Sequence, residues 1–166
     1  MITTPAQQCF LLPNEECQIR LGRHVGEALK WRGQIWLTGD LGVGKTTLTR
    51  GILRSAGHTG AVKSPTYALI EPYNINGLRI HHLDLYRLSD PEELAFIGVR
   101  ELFDEDSLAI IEWPSMGAGE LPTPDLIIRL ALALPGRHAC VRAASAAGAV
   151  ALEHLRLAAA DLEVAS

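Results

Sequence analysis

A chain of 166 residues can enclose one sizeable hydrophobic core, and 48% hydrophobic with 20% charged residues is a globular balance, which excludes fibrous and disordered classes. The net charge of −4 leaves no general basic field to hold nucleic acid through phosphate contacts alone. No run of about 18 apolar residues is present to cross a membrane, and residues 1–16, MITTPAQQCFLLPNEE, lack the charged-then-apolar order of a secretory signal, so a cytoplasmic chain is expected. Cys9, Cys17 and Cys140 fit neither a disulfide framework nor a C-x-x-C metal pattern; inert or buried thiols of a reducing cytosol are expected.

Residues 13–33 read as a helix, with Asn14 as N-cap, Leu21, Val25, Ala28 and Leu29 on one face, and Gly33 as its stop. Residues 34–38, QIWLT, form a short apolar strand. Residues 45–57 form a second helix, with Leu48, Ile52 and Ala56 four apart and Gly57 at its end. Strands YALIEPY and LRIHHLDL follow, separated by the turn NING at 74–77. SDPEELAFIG opens a helix, with Asp90 as N-cap, Pro91 at its first position and Glu93 at its third. LAIIEW is a strand, 114–124 a Pro/Gly loop, DLIIRLAL and HACVRAA are late strands, and 149–163 is a helix before a frayed end. No repeat or composition break divides the chain. Strands mixed with helices predict a single α/β domain, a three-layer sandwich around a mixed, largely parallel sheet.

Between the first strand and the second helix stands Gly39-Asp40-Leu41-Gly42-Val43-Gly44-Lys45-Thr46-Thr47. It contains the full P-loop pattern G-x-x-x-x-G-K-[ST], in the strand-before, helix-after context the motif requires. Glycines let backbone N–H groups turn inward around phosphates, and the helix start adds its dipole. Lys45 is placed to reach the β- and γ-phosphates, and Thr46 to ligate Mg²⁺. A glycine-rich turn opening a helix by chance is the bland alternative, and the agreement of motif and flanks argues against it.

Two apolar strands end on an acid: LAIIE at Glu112 and LRIHHLD at Asp84. A carboxylate at the end of a buried strand needs a positive partner, and a nucleotide-bound Mg²⁺ is one. The pattern does not rank the two acids; the plainer reading of either is a surface ion pair, such as Asp84 with Arg87. His81 and His82 alternate across their strand, which disfavours joint metal binding and predicts one packed and one partly exposed ring. Trp31 and Trp36 read as packing residues, and Arg50, Arg54 and Lys63 as a solvated face.

GDLGVGKTTLTRG, VKSPTYALIEPY, HHLDLYRLSDPEELAFIGVRE and LAIIEWP occur in this order and spacing, and together they closely resemble the bacterial TsaE family over roughly residues 10–145. The resemblance implies a P-loop ATPase using ATP and Mg²⁺. It would act with the threonylcarbamoyl-transferase protein and its dimerisation partner (TsaD- and TsaB-like) in modifying adenosine 37 of tRNAs that read ANN codons. It implies tRNA contact only through that complex, and no membrane. By motif, it implies that Gly39 to Thr47 hold the phosphates, that Thr46 and Glu112 are the Mg²⁺ ligands, and that Lys45 and Asp84 are catalytic. Thr66 of the switch-like SPTY segment would stand near the γ-phosphate, and Trp113 beside the nucleotide. Adenine would lie near Glu15 and the turn at Gly136, Arg137 and His138. Val43 replaces the family's frequent alanine at a position that contributes backbone.

Two rival functions differ in signature. A small-molecule kinase should carry an arginine-rich lid, and the 114–124 loop has no arginine. A GTPase should carry N-K-x-D and D-x-x-G, and neither is present, which favours adenine.

Overall fold

The elements alternate as the apolar periodicities dictate. In the computed structural model, which describes residues 6–65 and 69–165, they run β1 (Gln7–Leu12), α1 (Glu15–Leu29), β2 (Gly33–Thr38), α2 (Lys45–Ser55), β3 (Ile70–Ile75) and β4 (Leu78–Asp84). Then come α3 (Glu92–Phe96), β5 (Ser107–Glu112), β6 (Leu126–Ala133), β7 (Gly136–Ala143), α4 (Ala146–Ala158) and β8 (Glu163–Val164), with 3₁₀ turns at Val99–Leu102 and Pro114–Gly117.

The helix starts follow their caps. Asn14 Oδ1 accepts from Cys17 N at 2.9 Å, as its position predicts. The first helix stops sooner than Gly33: Lys30 and Trp31 both take left-handed backbone, and Gly33 is instead the first residue of β2. At α3 the Asp90 side chain does accept from Glu92 N at 2.9 Å, but the helix itself begins one residue later than expected and lasts only five residues. The NING turn is tighter than its four letters, with β3 running to Ile75 and only Asn76 and Gly77, both at positive φ, turning the hairpin.

The strands form one eight-stranded sheet in the order β3-β4-β5-β2-β6-β7-β1-β8. Its centre, β4-β5-β2-β6, is parallel; the flanking pairs are antiparallel. The sheet is thus mixed, in an α/β fold as predicted, with the parallel part confined to the middle. β1 is not foreseen by the sequence reading. It fills the gap between β7 and β8, and Ala165 N donates to Cys9 O at 2.9 Å, so the chain end expected to fray is paired there.

Two cores lie on opposite faces of the sheet. One joins Leu21, Val25, Leu48, Ile52, Leu152 and Leu155 of the helices to alternate strand residues such as Phe10, Ile35, Ile80, Ile110, Ile128 and Val141. The other packs Leu94 and Val99 against Leu83, Ala109 and Ile111. Each fully buried Leu or Ile contributes about 1.5–3 kcal/mol. α1 and α2 cross at backbone contact: a Cβ on Gly22 would collide with Leu48 O, and one on Gly51 with Ile19 O. Only glycine at both points permits that approach.

One expectation is overturned. Cys9 and Cys140 are not inert thiols but a disulfide, closing a sequence separation of 131 residues. They are opposite partners in the β1–β7 ladder, with Cα atoms 4.0 Å apart. The sequence does not show this, because the pairing depends on β1, whose existence it does not reveal. Cys17 is the free cysteine.

Candidate functional site

The parallel strands β2, β4 and β5 all finish at one end of the sheet, where open α/β sheets place their sites. β2 leads there into the loop Gly39–Gly44. Asp84 ends β4 and Glu112 ends β5, and the two are register partners. Both belong to the sheet face that packs on α1 and α2, since Ile80 and Ile110, four and two residues away on their respective strands, lie in that core.

A groove of about 360 Å³ opens at this end, lined by Leu41, Gly42, Gly44, Lys45, Thr46, Thr47, Ser64, Asp84, Glu112 and Trp113. The loop reaches it through left-handed backbone, with Gly44 at φ +109. A side chain on Gly44 would also collide with Gln18 Oε1. Leu48 N donates to Gly44 O at 3.0 Å, so α2 starts directly from the loop. The first helical turn therefore presents Lys45, Thr46 and Thr47 to the groove.

Lys45 is buried, yet well compensated. Its Nζ donates to Gly39 O at 2.5 Å and lies 3.9 Å from the centre of the Trp113 ring. Burial lowers its pKa below the ordinary lysine value, opposed by the charges of Glu112, Asp84 and Asp40, which raise it. Trp113 takes left-handed backbone (φ 57), which turns the chain out of β5 and lays the ring over Lys45. Tyr86 stacks obliquely on Trp113, with ring centres 5.0 Å apart.

The two acids differ in setting. Asp84 accepts from Ser64 Oγ at 2.7 Å and from Tyr86 N at 3.1 Å, which ties the first residue of the switch-like SPTY stretch to β4. Glu112 is buried, and its Oε2 lies 2.6 Å from Nε2 of the fully buried His82. Sequence reading does not name this partner. It places one histidine of the pair in the interior, and His82 is that one, with His81 partly exposed.

The structure thus gathers Leu41, Gly42, Gly44, Lys45, Thr46, Thr47, Asp84, Glu112 and Trp113 of the predicted residues around one groove. Gly39, Asp40 and Val43 complete the loop behind it; Gly39 O and Asp40 O hold Lys45. Arg137 stands on β7, and its Nε donates to Val43 O at 2.9 Å, so it braces the loop from behind. Gly136 lies against Leu12 and Pro13, the turn that leads to Glu15. Glu15 is not at the groove: it pairs with Arg50 at 3.0 Å. Thr66 lies outside the described residues. Two participants escape the sequence reading. Ser64 is there only part of a motif, and Gln18 sits under Gly44 with its buried Oε1 unpartnered among the described residues.

The residues fit a hard cation and phosphates. The donors facing the groove are hydroxyl and carboxylate oxygens, which suit Mg²⁺, and a buried lysine stands beside backbone N–H groups of a helix start. No helix of the described residues is long and apolar enough to cross a membrane.

The family model described as "Threonylcarbamoyl adenosine biosynthesis protein TsaE" matches residues 12–138. Over 124 residues the chain is 49% identical to the tRNA threonylcarbamoyladenosine biosynthesis protein TsaE of Haemophilus influenzae, covering 72% of this chain and 78% of that one. The Rickettsia bellii protein of the same name is 34% identical over 131 residues, covering 78% and 90%. The crystal structure of Bacillus subtilis YdiB superposes with a TM-score of 0.80 at 25% identity, covering 95% of this chain and 99% of that one. With its glycine-rich loop, Lys45, Thr46 and the strand-end acids inside the matched span, the chain belongs to the TsaE family of tRNA threonylcarbamoyladenosine biosynthesis.

Proposed function

We propose that the chain is a Mg²⁺-dependent ATPase that supports threonylcarbamoylation of adenosine 37 in tRNAs reading ANN codons, working with TsaD- and TsaB-like transferase partners in the cytoplasm. The carrying observation is the convergence of Lys45, Thr46, Asp84 and Glu112 on one groove at the mouth of a glycine-rich loop.

On this reading the loop's N–H groups and Lys45 hold the ATP phosphates, and Gly44 lets the backbone come close to them. Thr46 and Glu112 would hold Mg²⁺, which neutralises charge on the phosphates when bound. His82 fixes the Glu112 carboxylate in place through Oε2. Asp84 would orient the attacking water, and Ser64 on its Oδ2 couples it to the segment carrying Thr66. Trp113 walls the groove and shields Lys45. Adenine is assigned to the side of Glu15, Gly136 and Arg137 by the family resemblance alone; Glu15 itself pairs with Arg50, and Arg137 holds the loop's own backbone at Val43 O.

Among the described residues lining the groove there is no arginine. An arginine brought to the transferring phosphoryl is worth about 10³–10⁵ in rate. The isolated chain should therefore hydrolyse ATP slowly and be accelerated by its partners. The test is steady-state ATPase of the chain alone, then titrated with the two transferase partners, with and without tRNA. A fast rate that partners leave unchanged would overturn the reading, and transfer of the phosphoryl to a small metabolite would establish the kinase instead.

A further inference from the structure

Along β6, β7 and β1 only alternate residues face the helical core: Ile128, Leu130, Ala139, Val141, Phe10 and Leu12. Their intervening residues, Arg129, His138, Cys140, Arg142 and Cys9, therefore share the opposite face of the sheet. That face is turned away from α1, α2 and α4 and takes no part in the proposed chemistry. Three side chains on it converge. One ligand atom from each of Cys9, His138 and Cys140 lies within 4.8 Å of the others, and His138 Nδ1 is 3.9 Å from Cys140 Sγ.

We propose that Cys9, Cys140 and His138 form a redox-gated site for a soft divalent cation such as Zn²⁺. Two thiolates and an imidazole are the donors such an ion prefers. Tetrahedral coordination at the usual bond lengths separates sulfur from nitrogen by ~3.5 Å and sulfur from sulfur by ~3.8 Å. The first spacing is close to the one present; the second requires the disulfide to open. Cross-strand pairing supplies Cys9 opposite Cys140, and the strand repeat supplies His138 two residues before Cys140 on the same face.

The gate is the disulfide. A dithiol reductant transfers two electrons and two protons to it, leaving two cysteine thiols and becoming a disulfide itself. The cation then displaces both thiol protons and forms two metal–sulfur bonds and one metal–nitrogen bond. A groove of about 220 Å³, lined by Gln7, Thr38, Ile127, Arg129, Cys140 and Arg142, adjoins the site and leaves room for water or an anion as fourth ligand. The arginines do not oppose binding, because a divalent ion with two thiolates is neutral, and their charge favours the thiolates. In the reduced chain the ion would tie β1 to β7, the cross-link that the disulfide makes in the oxidised one.

The experiment uses the full chain with Cys17→Ser, which removes the third thiol, and Co²⁺ as the probe. After reduction and removal of the reductant, it should take up one equivalent of Co²⁺, with a thiolate charge-transfer band and the intense visible bands of a four-coordinate ion. Zn²⁺ should displace it. The oxidised chain should show neither band. Cys9→Ser and Cys140→Ser should abolish the charge-transfer band or weaken binding at least about tenfold, and His138→Ala should weaken binding by a similar factor while retaining some thiolate band. Should the cysteine variants fail to fold, the wild-type chain decides: Zn²⁺ should protect Cys9 and Cys140, but not Cys17, from alkylation read by mass spectrometry. Equal Co²⁺ uptake by the oxidised and reduced chains, no uptake after reduction, or no Zn²⁺ protection of the pair would overturn the proposal and leave a structural disulfide only.

Discussion

Replacing His82 with leucine tests whether the contact beneath Glu112 is structural as well as functional. The two side chains are 0% and 4% exposed, and Nε2 lies 2.6 Å from Oε2. Leucine occupies much of the same volume, so the main loss is the hydrogen bond. Leaving a buried acceptor without its hydrogen-bond donor costs about 1–3 kcal/mol, and more where the acceptor is charged. Glu112 is buried although it lines the groove, so the upper part of that range applies: about 2–3 kcal/mol. With a urea slope of ~2 kcal/mol per molar, the unfolding midpoint should fall by ~1–1.5 M. At roughly 2–4 °C per kcal/mol for a chain of this size, the melting temperature should fall by about 4–12 °C. The measurement belongs in chelator without nucleotide, so that no ligand stabilises the folded state. A double-mutant cycle with Glu112→Met isolates the pair. The double variant should be more stable than the sum of the two single losses by at least about 1 kcal/mol, since it leaves no orphaned carboxylate. A His82→Leu loss under about 0.5 kcal/mol, or strict additivity in the cycle, would refute the reasoning.

Lys45→Ala should lower ATP turnover by about 10²-fold or more, as loss of a preorganised charge does, while circular dichroism stays native. Thr46→Ala and Glu112→Ala should each shift the Mg²⁺ dependence of hydrolysis, whereas Asp84→Ala should lower the rate with less effect on ADP affinity; the opposite assignment of the two acids would emerge if Asp84→Ala alone altered Mg²⁺ dependence. Trp113 fluorescence should respond to ATP with Mg²⁺, and Trp113→Phe should remove most of that response; an undiminished signal would place the tryptophan away from nucleotide. Gly44→Ala should destabilise by about 1–3 kcal/mol through both its positive φ and its contact with Gln18 Oε1. Adding Gln18→Ala should recover only the contact part, so complete recovery would show that backbone strain is negligible there.

How much of this is legible depends on sequence distance. The loop from Gly39 to Thr47 is local, so its residues, its strand and its helix can all be named from one stretch. Asp84 and Glu112 are legible as strand ends, but not as neighbours. Their pairing follows from β4 lying beside β5, a choice made by the whole sheet. The same step hides the partner of Glu112: alternation shows that His81 and His82 point apart, but only the register sets His82 diagonally across from Glu112. β1 escapes notice because QQCFLL is short, begins with polar residues and has little alternation to separate it from a loop. With it goes the Cys9–Cys140 bond. The glycines of the helix crossing are equally silent, since Gly22 and Gly51 have meaning only once α1 lies on α2. Trp31 and Trp36 read as packing residues, and in the fold each also donates its indole N–H, to Ser55 and Gln34 respectively.

The position of Lys45 links the loop's shape to its proposed work. Burying an ammonium group is costly unless acceptors and charges compensate it. Here the compensation comes from Gly39 O, from the face of Trp113 and from nearby carboxylates. The lysine therefore closes the loop on its own backbone. On the proposed reading, an arriving phosphate competes with Gly39 O for the same Nζ, and exchanges one acceptor for a more strongly charged one. The exchange leaves Lys45 paired throughout, so nucleotide entry need not expose a bare buried charge. Arg137 on Val43 O holds the middle of the loop meanwhile, from a strand outside the loop's own unit of strand and helix. A loop fixed at Val43 and freed at Gly39 can accept a phosphate with little rearrangement, which is what preorganised binding requires.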